Sequence, residues 1–257
     1  MFSSGACSWV EAKLTVAKYG TAGTVLLFAD VKGYSTNPHD GEDMDNYRFL
    51  EQAALNVGVP LVKITRGRSV WEHFFIRKMM ANSRVPICSV DLKREILDEW
   101  QGANADVNET VLHFGIGWDE SHRLDNLRKA KAPWRVESLV CEAMLDKPKM
   151  MAMMKADGLC PPQLYAKGFP HANCGGFCVK AGQAQFALLL KTNPERYKYH
   201  EDKEQEFRAL VGKDVSIMKD RRGGTHKTLT MKQLRERIEQ QAEFDQLEWG
   251  GCGCAVE

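Results

Sequence analysis

The chain of 257 residues contains no run of about 18 consecutive apolar residues, so no helical membrane span is expected. No basic segment followed by an apolar one opens it, and the chain reads as cytosolic. Charge of one sign is also missing. Lys and Arg number 35 against 34 Asp and Glu, a net charge of +1. That balance neither requires nucleic acid nor excludes it. No internal repeat appears. The common zinc pair Cys-x-x-Cys is absent, yet the chain carries 8 cysteines. Structural disulfides are rare in the cytosol, so metal or redox roles are the better expectation for them.

What is present is enough apolar material, 44% of residues, for one substantial core or a core with a small satellite. Thr24 to Ala29 is a continuous apolar run ending at Asp30, the pattern of a strand buried on both faces. Pro60 to Ile64, Glu109 to Phe114 and Trp134 to Leu139 read as further strands. Helices are expected around Tyr47 to Val57, Trp71 to Met80, Ser89 to Trp100 and Asp119 to Lys129. Strands alternating with helices predict an α/β fold. Its centre would be a Rossmann-like parallel sheet with helices on both faces, and ligands would sit beyond the carboxyl ends of its strands. This organisation is assigned to residues 1–145. Residues 146–257 change character: a methionine-rich helix from Lys147 to Asp157, a proline-rich stretch, and helices around Phe186, Pro194 to Leu210 and Met231 to Ile238. They form the mostly helical, cysteine-bearing C-terminal part.

The opening hexamer, Ser3-Ser4-Gly5-Ala6-Cys7-Ser8, is a small-residue loop that runs into a helix with Val10, Leu14 and Ala17 on one face. Ser and Gly let the backbone approach a ligand. The helix start offers unpaired N–H groups and a positive dipole end, a combination that holds phosphate. A Ser/Gly turn that merely caps a helix is the alternative.

The hexamer resembles the phosphate-binding loop, Ser-Gly-Gly-x-Asp-Ser, of the adenine nucleotide alpha-hydrolase superfamily. Three more segments resemble, in order, its phosphoadenosine phosphosulfate reductase-like branch. Arg84-Val-Pro-Ile-Cys88-Ser89-Val-Asp-Leu92-Lys93 is similar to an Arg…Cys-Ser/Thr-x-x-Leu-Lys segment. Gly115-Ile116-Gly117-Trp118-Asp119-Glu120-Ser121-His122-Arg123 is similar to Gly-Ile-Arg-x-Asp-Glu-Ser-x-Arg. Leu164-Tyr165…Gly168-Phe169, followed by Cys174 and Cys178, is similar to a Pro-Leu-Tyr…Gly-Cys-x-x-Cys region. The matches span roughly residues 2 to 180. Ser4 stands where the family has Gly and Cys7 where it has Asp, and only Met1 and Phe2 precede the loop.

The resemblance implies ATP, with Mg2+, lying across the sheet edge. Ser3, Ser4, Gly5, Ala6, Cys7 and Ser8 would cradle the pyrophosphate, Phe28 and Asp30 would border the adenosine, and Gly115 would let adenine near the backbone. Lys93 and Arg123 would neutralise phosphate charge; two solvated helix charges are the alternative. Cys88 joins them as a candidate catalytic residue. The implied reaction is attack on the alpha-phosphorus with loss of pyrophosphate, followed by displacement of the adenylate by a sulfur or nitrogen nucleophile. A nucleic acid or a small sulfur-containing molecule would be the substrate.

Cys174-x-x-x-Cys178 brackets two glycines, and Cys252-x-Cys254 follows a glycine pair. Four thiolates in two close pairs suit a 4Fe-4S cluster, with structural zinc as the alternative. Cys88 and Cys141 are further ligand candidates, and unligated thiols are the remaining reading. A helix N-terminus would lower the Cys7 thiol pKa, but a small residue simply tolerated in the loop is the better expectation for Cys7. The basic stretch Lys219 to Lys227 would hold a phosphate backbone or form a solvated turn. Met150 to Met154 reads as core filler, and Trp118 and Trp134 as buried packing rather than base-stacking surfaces. Two other functions stay open. One is a sulfonucleotide reductase using Cys252 or Cys254 as nucleophile; the other is a non-catalytic adenine-nucleotide-binding protein. A homodimer is the expected assembly.

Overall fold

A computed structural model of the protein describes residues 1–224 and 226–251. Cys252 and Cys254, two of the expected metal ligands, lie outside the described residues. The architecture is mixed α/β with small sheets.

Helix α1 (Ala6–Tyr19) starts at Gly5, which is extended at φ −114° and ψ 166°. Ser8 supplies the cap. Its hydroxyl donates to the Gly5 carbonyl (2.9 Å) and accepts from the Gly5 N–H (3.3 Å). The buried face carries Ala6, Trp9, Val10 and Ala12, whereas Ala17 is exposed. The expected stripe of Val10, Leu14 and Ala17 is therefore rotated. The reason is Trp9, fully buried, with its indole N–H donating to Asn56 Oδ1 at 3.0 Å.

Strand β1 (Leu26–Ala29) is buried along its whole length and pairs in parallel with β2 (Leu61–Ile64), Leu26 opposite Leu61. Between them runs α2 (Met44–Val57), started by Asp43, whose carboxylate accepts from the Asn46 N–H. Next come α3 (Val70–Arg77), α4 (Ile87–Ser89), a wide π turn over Val90–Arg94, and α5 (Glu95–Asn104). Strand β3 (Val111–His113) pairs in parallel with β4 (Arg135–Glu137) across α6 (His122–Lys131). The N-terminal dipeptide lies between the two pairs. The Phe2 N–H donates to the Leu27 carbonyl (2.9 Å), and the Met1 nitrogen to the His113 carbonyl (2.6 Å).

After the short α7 (Leu139–Glu142), the C-terminal part is mostly helical: α8 (Lys147–Ala156), α9 (Gln163–Ala166), α10 (Gln183–Thr192), α11 (Pro194–Val211) and, last, α12 (Met231–Glu239). It also holds an antiparallel hairpin, β5 (Met218–Asp220) with β6 (Lys227–Leu229), where the sequence suggested only a basic glycine loop. Strands of three residues carrying Lys219, Asp220 and Lys227 give no apolar alternation to read.

Packing crosses residue 145. The largest buried cluster joins Trp71 and Phe74 of α3 to Phe177, Phe186, Tyr197, Phe207 and Leu234. Each such side chain contributes about 1.5–3 kcal/mol on burial. Within it the Trp71 indole donates to His200 Nδ1 at 2.8 Å, and Phe177 stacks on the His200 ring at 3.5 Å. Burial holds His200 well below its ordinary pKa, so the ring is neutral. A second cluster brings α1, β1 and α2 against Met150 and Met154 of α8, so those methionines do fill the core. No helix among the described residues is long and apolar enough to cross a membrane.

Candidate functional site

Beyond the carboxyl ends of β1 and β3 lies a cavity of about 450 Å³. Ser3, Gly5, Ala6, Cys7 and Ser8 of the opening turn line it. Phe28, from the end of β1, and Gly115, just past β3, face the same space. So do Lys93, on the π turn, and Arg123, on α6. The parts come from distant sequence positions.

The close approach at Gly115 is steric. A Cβ there would sit 2.8 Å from the carbonyl carbon and oxygen of Cys7 and from the Ser8 nitrogen. Backbone meets backbone, so only glycine lets the end of β3 touch the turn. Gly5 is looser: its Cβ would meet the Tyr165 hydroxyl at 3.2 Å. That hydroxyl accepts from the Ala6 N–H at 3.3 Å, so Tyr165 holds one of the first-turn donors of α1.

Three expected residues do not line this cavity. Ser4 is 1% exposed behind the turn, at φ +53°, and its hydroxyl oxygen has no hydrogen-bond partner among the described residues. Left-handed backbone at this position favours glycine over serine. Asp30 turns away: its carboxylate accepts from the Tyr47 hydroxyl (2.7 Å) and the Lys32 N–H (2.9 Å), which closes the loop after β1. Cys88 faces a separate crevice.

Cys7 is not an activated thiol. Burial first, then the nearby Glu11, Glu120 and Asp119 carboxylates, push it up to about 12. Desolvation and negative charge outweigh the pull of the helix end.

Glu42, Asp119, Glu120, Lys147, Tyr165 and His171 also line the cavity, beyond the residues that the sequence points to as site residues. Glu42 is the least legible. It is 3% exposed and accepts from Asn46 Nδ2 (3.2 Å) and the Gly175 N–H (3.4 Å). Burial raises its pKa, and the Lys93 and Arg196 cations oppose that shift. A glutamate among three acidic residues of the Asp40-Gly-Glu-Asp43 loop has no periodic signal; only long-range packing buries it. Asp119 and Glu120 lie within the segment Gly115-Ile-Gly-Trp-Asp-Glu-Ser121, which is their signal in the sequence. Glu120 pairs with Arg123 one helical turn on.

A narrow crevice adjoins the cavity, with Lys93 lining both. Cys88, Cys174 and Cys178 face it together with Val31, Val70, Phe177 and Val179. Lys93 Nζ stands 3.9 Å from Cys174 Sγ. The tight turn follows from Cys174, Gly175 and Gly176, all at positive φ. A Cβ on Gly175 would strike the Arg196 guanidinium at 2.1 Å, and one on Gly176 the Phe169 ring at 2.8 Å. Among the described residues no three His, Cys, Asp or Glu side chains are arranged to hold one metal ion. Cys141 lies elsewhere, beside the β3–β4 cluster. Gly251 lines a further small crevice with Cys178 and His171.

No protein-family model, curated protein or solved structure matches the chain. The aromatic expectation divides: Trp134 packs partly buried against the β3–β4 cluster, but Trp118 is 50% exposed.

Proposed function

We propose that the protein is an ATP-using enzyme of the adenine nucleotide alpha-hydrolase kind, nearest to the phosphoadenosine phosphosulfate reductase-like branch. One observation carries this reading. The opening turn, Phe28, Lys93, Gly115 and Arg123 face a single cavity at the carboxyl ends of two parallel strand pairs. The volume of about 450 Å³ falls in the range of small-molecule sites. The two pairs are read as halves of one parallel sheet, in the order β2, β1, Met1–Phe2, β3, β4. The hydrogen bonds from Phe2 to β1 and from Met1 to β3 support that order.

In this reading the N–H groups at the start of α1 receive the pyrophosphate. Lys93 and Arg123 offset its charge. A neutral Cys7 does not replace the carboxylate of the resembled loop, and Asp119 and Glu120 are the acidic groups that would meet Mg2+. A substrate oxygen attacks the alpha-phosphorus, the bond to the bridging oxygen breaks, and pyrophosphate leaves. A sulfur or nitrogen nucleophile then displaces AMP. Positioning and charge supply the acceleration. Cys88, Cys174 and Cys178 are soft donors facing one crevice of about 20 Å³, but as they stand they are not arranged around one ion. A 4Fe-4S cluster or zinc would need them drawn together, with Cys252 or Cys254 as candidate further ligands. A bound cluster would supply electron-transfer or sulfur-binding chemistry.

Calorimetric titration with ATP tests the placement. Gly5→Val is expected to abolish binding, because a branched side chain enters the turn beside the Tyr165 hydroxyl. Unchanged affinity would overturn it. Sulfite release from an adenylyl sulfate with thioredoxin, without pyrophosphate release from ATP, would favour the reductase instead.

A further inference from the structure

A second cleft, of about 420 Å³, opens beside the hairpin β5–β6. Arg84, Lys180, Lys219 and Arg221 line it against one carboxylate, Glu248. Even with Lys180 set aside, three cations face that carboxylate. Arg221 donates to Glu248 (3.1 Å) and to Ser83 Oγ (3.3 Å), which fixes its guanidinium at the rim. Lys219 belongs to β5 and Arg221 lies just past its end, and both line the cleft.

The far wall is the chain at Gly250 and Gly251, and the same two residues line the candidate nucleotide cavity. The wall is thin because it must be. Gly250 is at φ +71°, and a Cβ on it would sit 2.3 Å from the Lys180 carbonyl oxygen. Backbone bonds pin it: Gly182 N–H to the Trp249 carbonyl (3.0 Å), Ala184 N–H to the Glu248 carbonyl (3.0 Å), and Gly251 N–H to the Lys180 carbonyl (3.2 Å).

We propose that this cleft seats the phosphodiester backbone of a single-stranded nucleic acid, whose base reaches over Gly250–Gly251 into the neighbouring cavity. The proposal rests on the adenylating reading and names its substrate class. Arginine forks match phosphate oxygens in two-point contacts. A concave basic cleft of this small volume suits one unpaired strand rather than the breadth of a duplex. The overall charge of +1 does not count against it, because the excess is local.

The test is fluorescence anisotropy of a labelled 20-nucleotide single-stranded DNA with the full chain, over a salt series. The double variant Arg84→Ala/Lys219→Ala is expected to bind at least tenfold more weakly. Its slope of log affinity against log salt should fall by about 1.4, two contacts at ~0.7 each for a single strand. Lys129→Ala, an exposed cation of α6 outside the cleft, should change neither. Thermal melting of each variant verifies folding. Equal binding by the double variant, an equal loss in Lys129→Ala, or displacement by polyglutamate as effective as by unlabelled DNA would overturn the proposal. Displacement by millimolar inorganic phosphate alone would mark a site for free phosphate and overturn it too. ATP affinity, measured on the same samples, separates the two readings. DNA binding that tracks the cleft in a chain that does not bind ATP would sink the enzyme and leave the docking site standing.

Discussion

Lys93 stands between two sites made of opposite materials. On one side the opening turn meets Gly115, and the contact is backbone against backbone. On the other, Cys88, Cys174 and Cys178 face a crevice walled by Val31, Val70, Phe177 and Val179, and side chains alone define it. The first site depends on what is missing, a Cβ at Gly115. The second depends on what is present, the sulfur atoms. A substitution that adds atoms should damage the first. One that changes an element without changing shape should damage the second.

The largest effect is expected from Gly115→Val. Its side chain would overlap the Cys7–Ser8 peptide, and overpacking of this kind costs about 1–3 kcal/mol. The variant should melt lower and lose ATP binding together. A chain that melts normally and still binds ATP would break the steric half of the comparison.

Cys178→Ser should do the reverse. It is nearly isosteric, so its stability cost is about 1 kcal/mol, from seating a hydroxyl among apolar walls. Anaerobically purified variant should lose iron or zinc, with ATP affinity changed less than twofold. Metal analysis and calorimetry on one preparation check both halves. Retained metal would remove Cys178 from the ligand set.

Ser4→Gly is the smallest and has the opposite sign. Ser4 combines a left-handed backbone with a buried hydroxyl lacking a described partner. Glycine relieves both, and a stabilisation of about 1 kcal/mol is expected from chemical denaturation. A loss of stability would show that the hydroxyl has a role in the turn.

Legibility follows the same division. Strand β1 was readable because a strand buried on both faces is a continuous apolar run. Helix α2 is readable from its apolar spacing over Tyr47 to Val57 and α8 from its methionine-rich stretch, whereas the Asp43 cap starts α2 three residues before that spacing does. The opening segment is readable as a Ser/Gly turn before a helix, and α1 does start at Gly5. The hairpin β5–β6 was not, because its strands are short and charged. Nor was Asp30, which follows a buried strand yet serves the loop through Tyr47. Glu42 and Tyr165 reach the cavity only because α2 and α9 are packed near it.

The order of residues alone determined β1 and the main helices, the glycine-bearing turn, and the scarcity of any charge excess. These are properties of neighbours along the chain, set by periodicity and backbone freedom. Only the tertiary structure decided which side of the turn Ser4 takes, which carboxylates enter the cavity, and that Cys88 lies with Cys174 and Cys178. Those are contacts across many tens of residues, and their free energy comes from burial that no local pattern records.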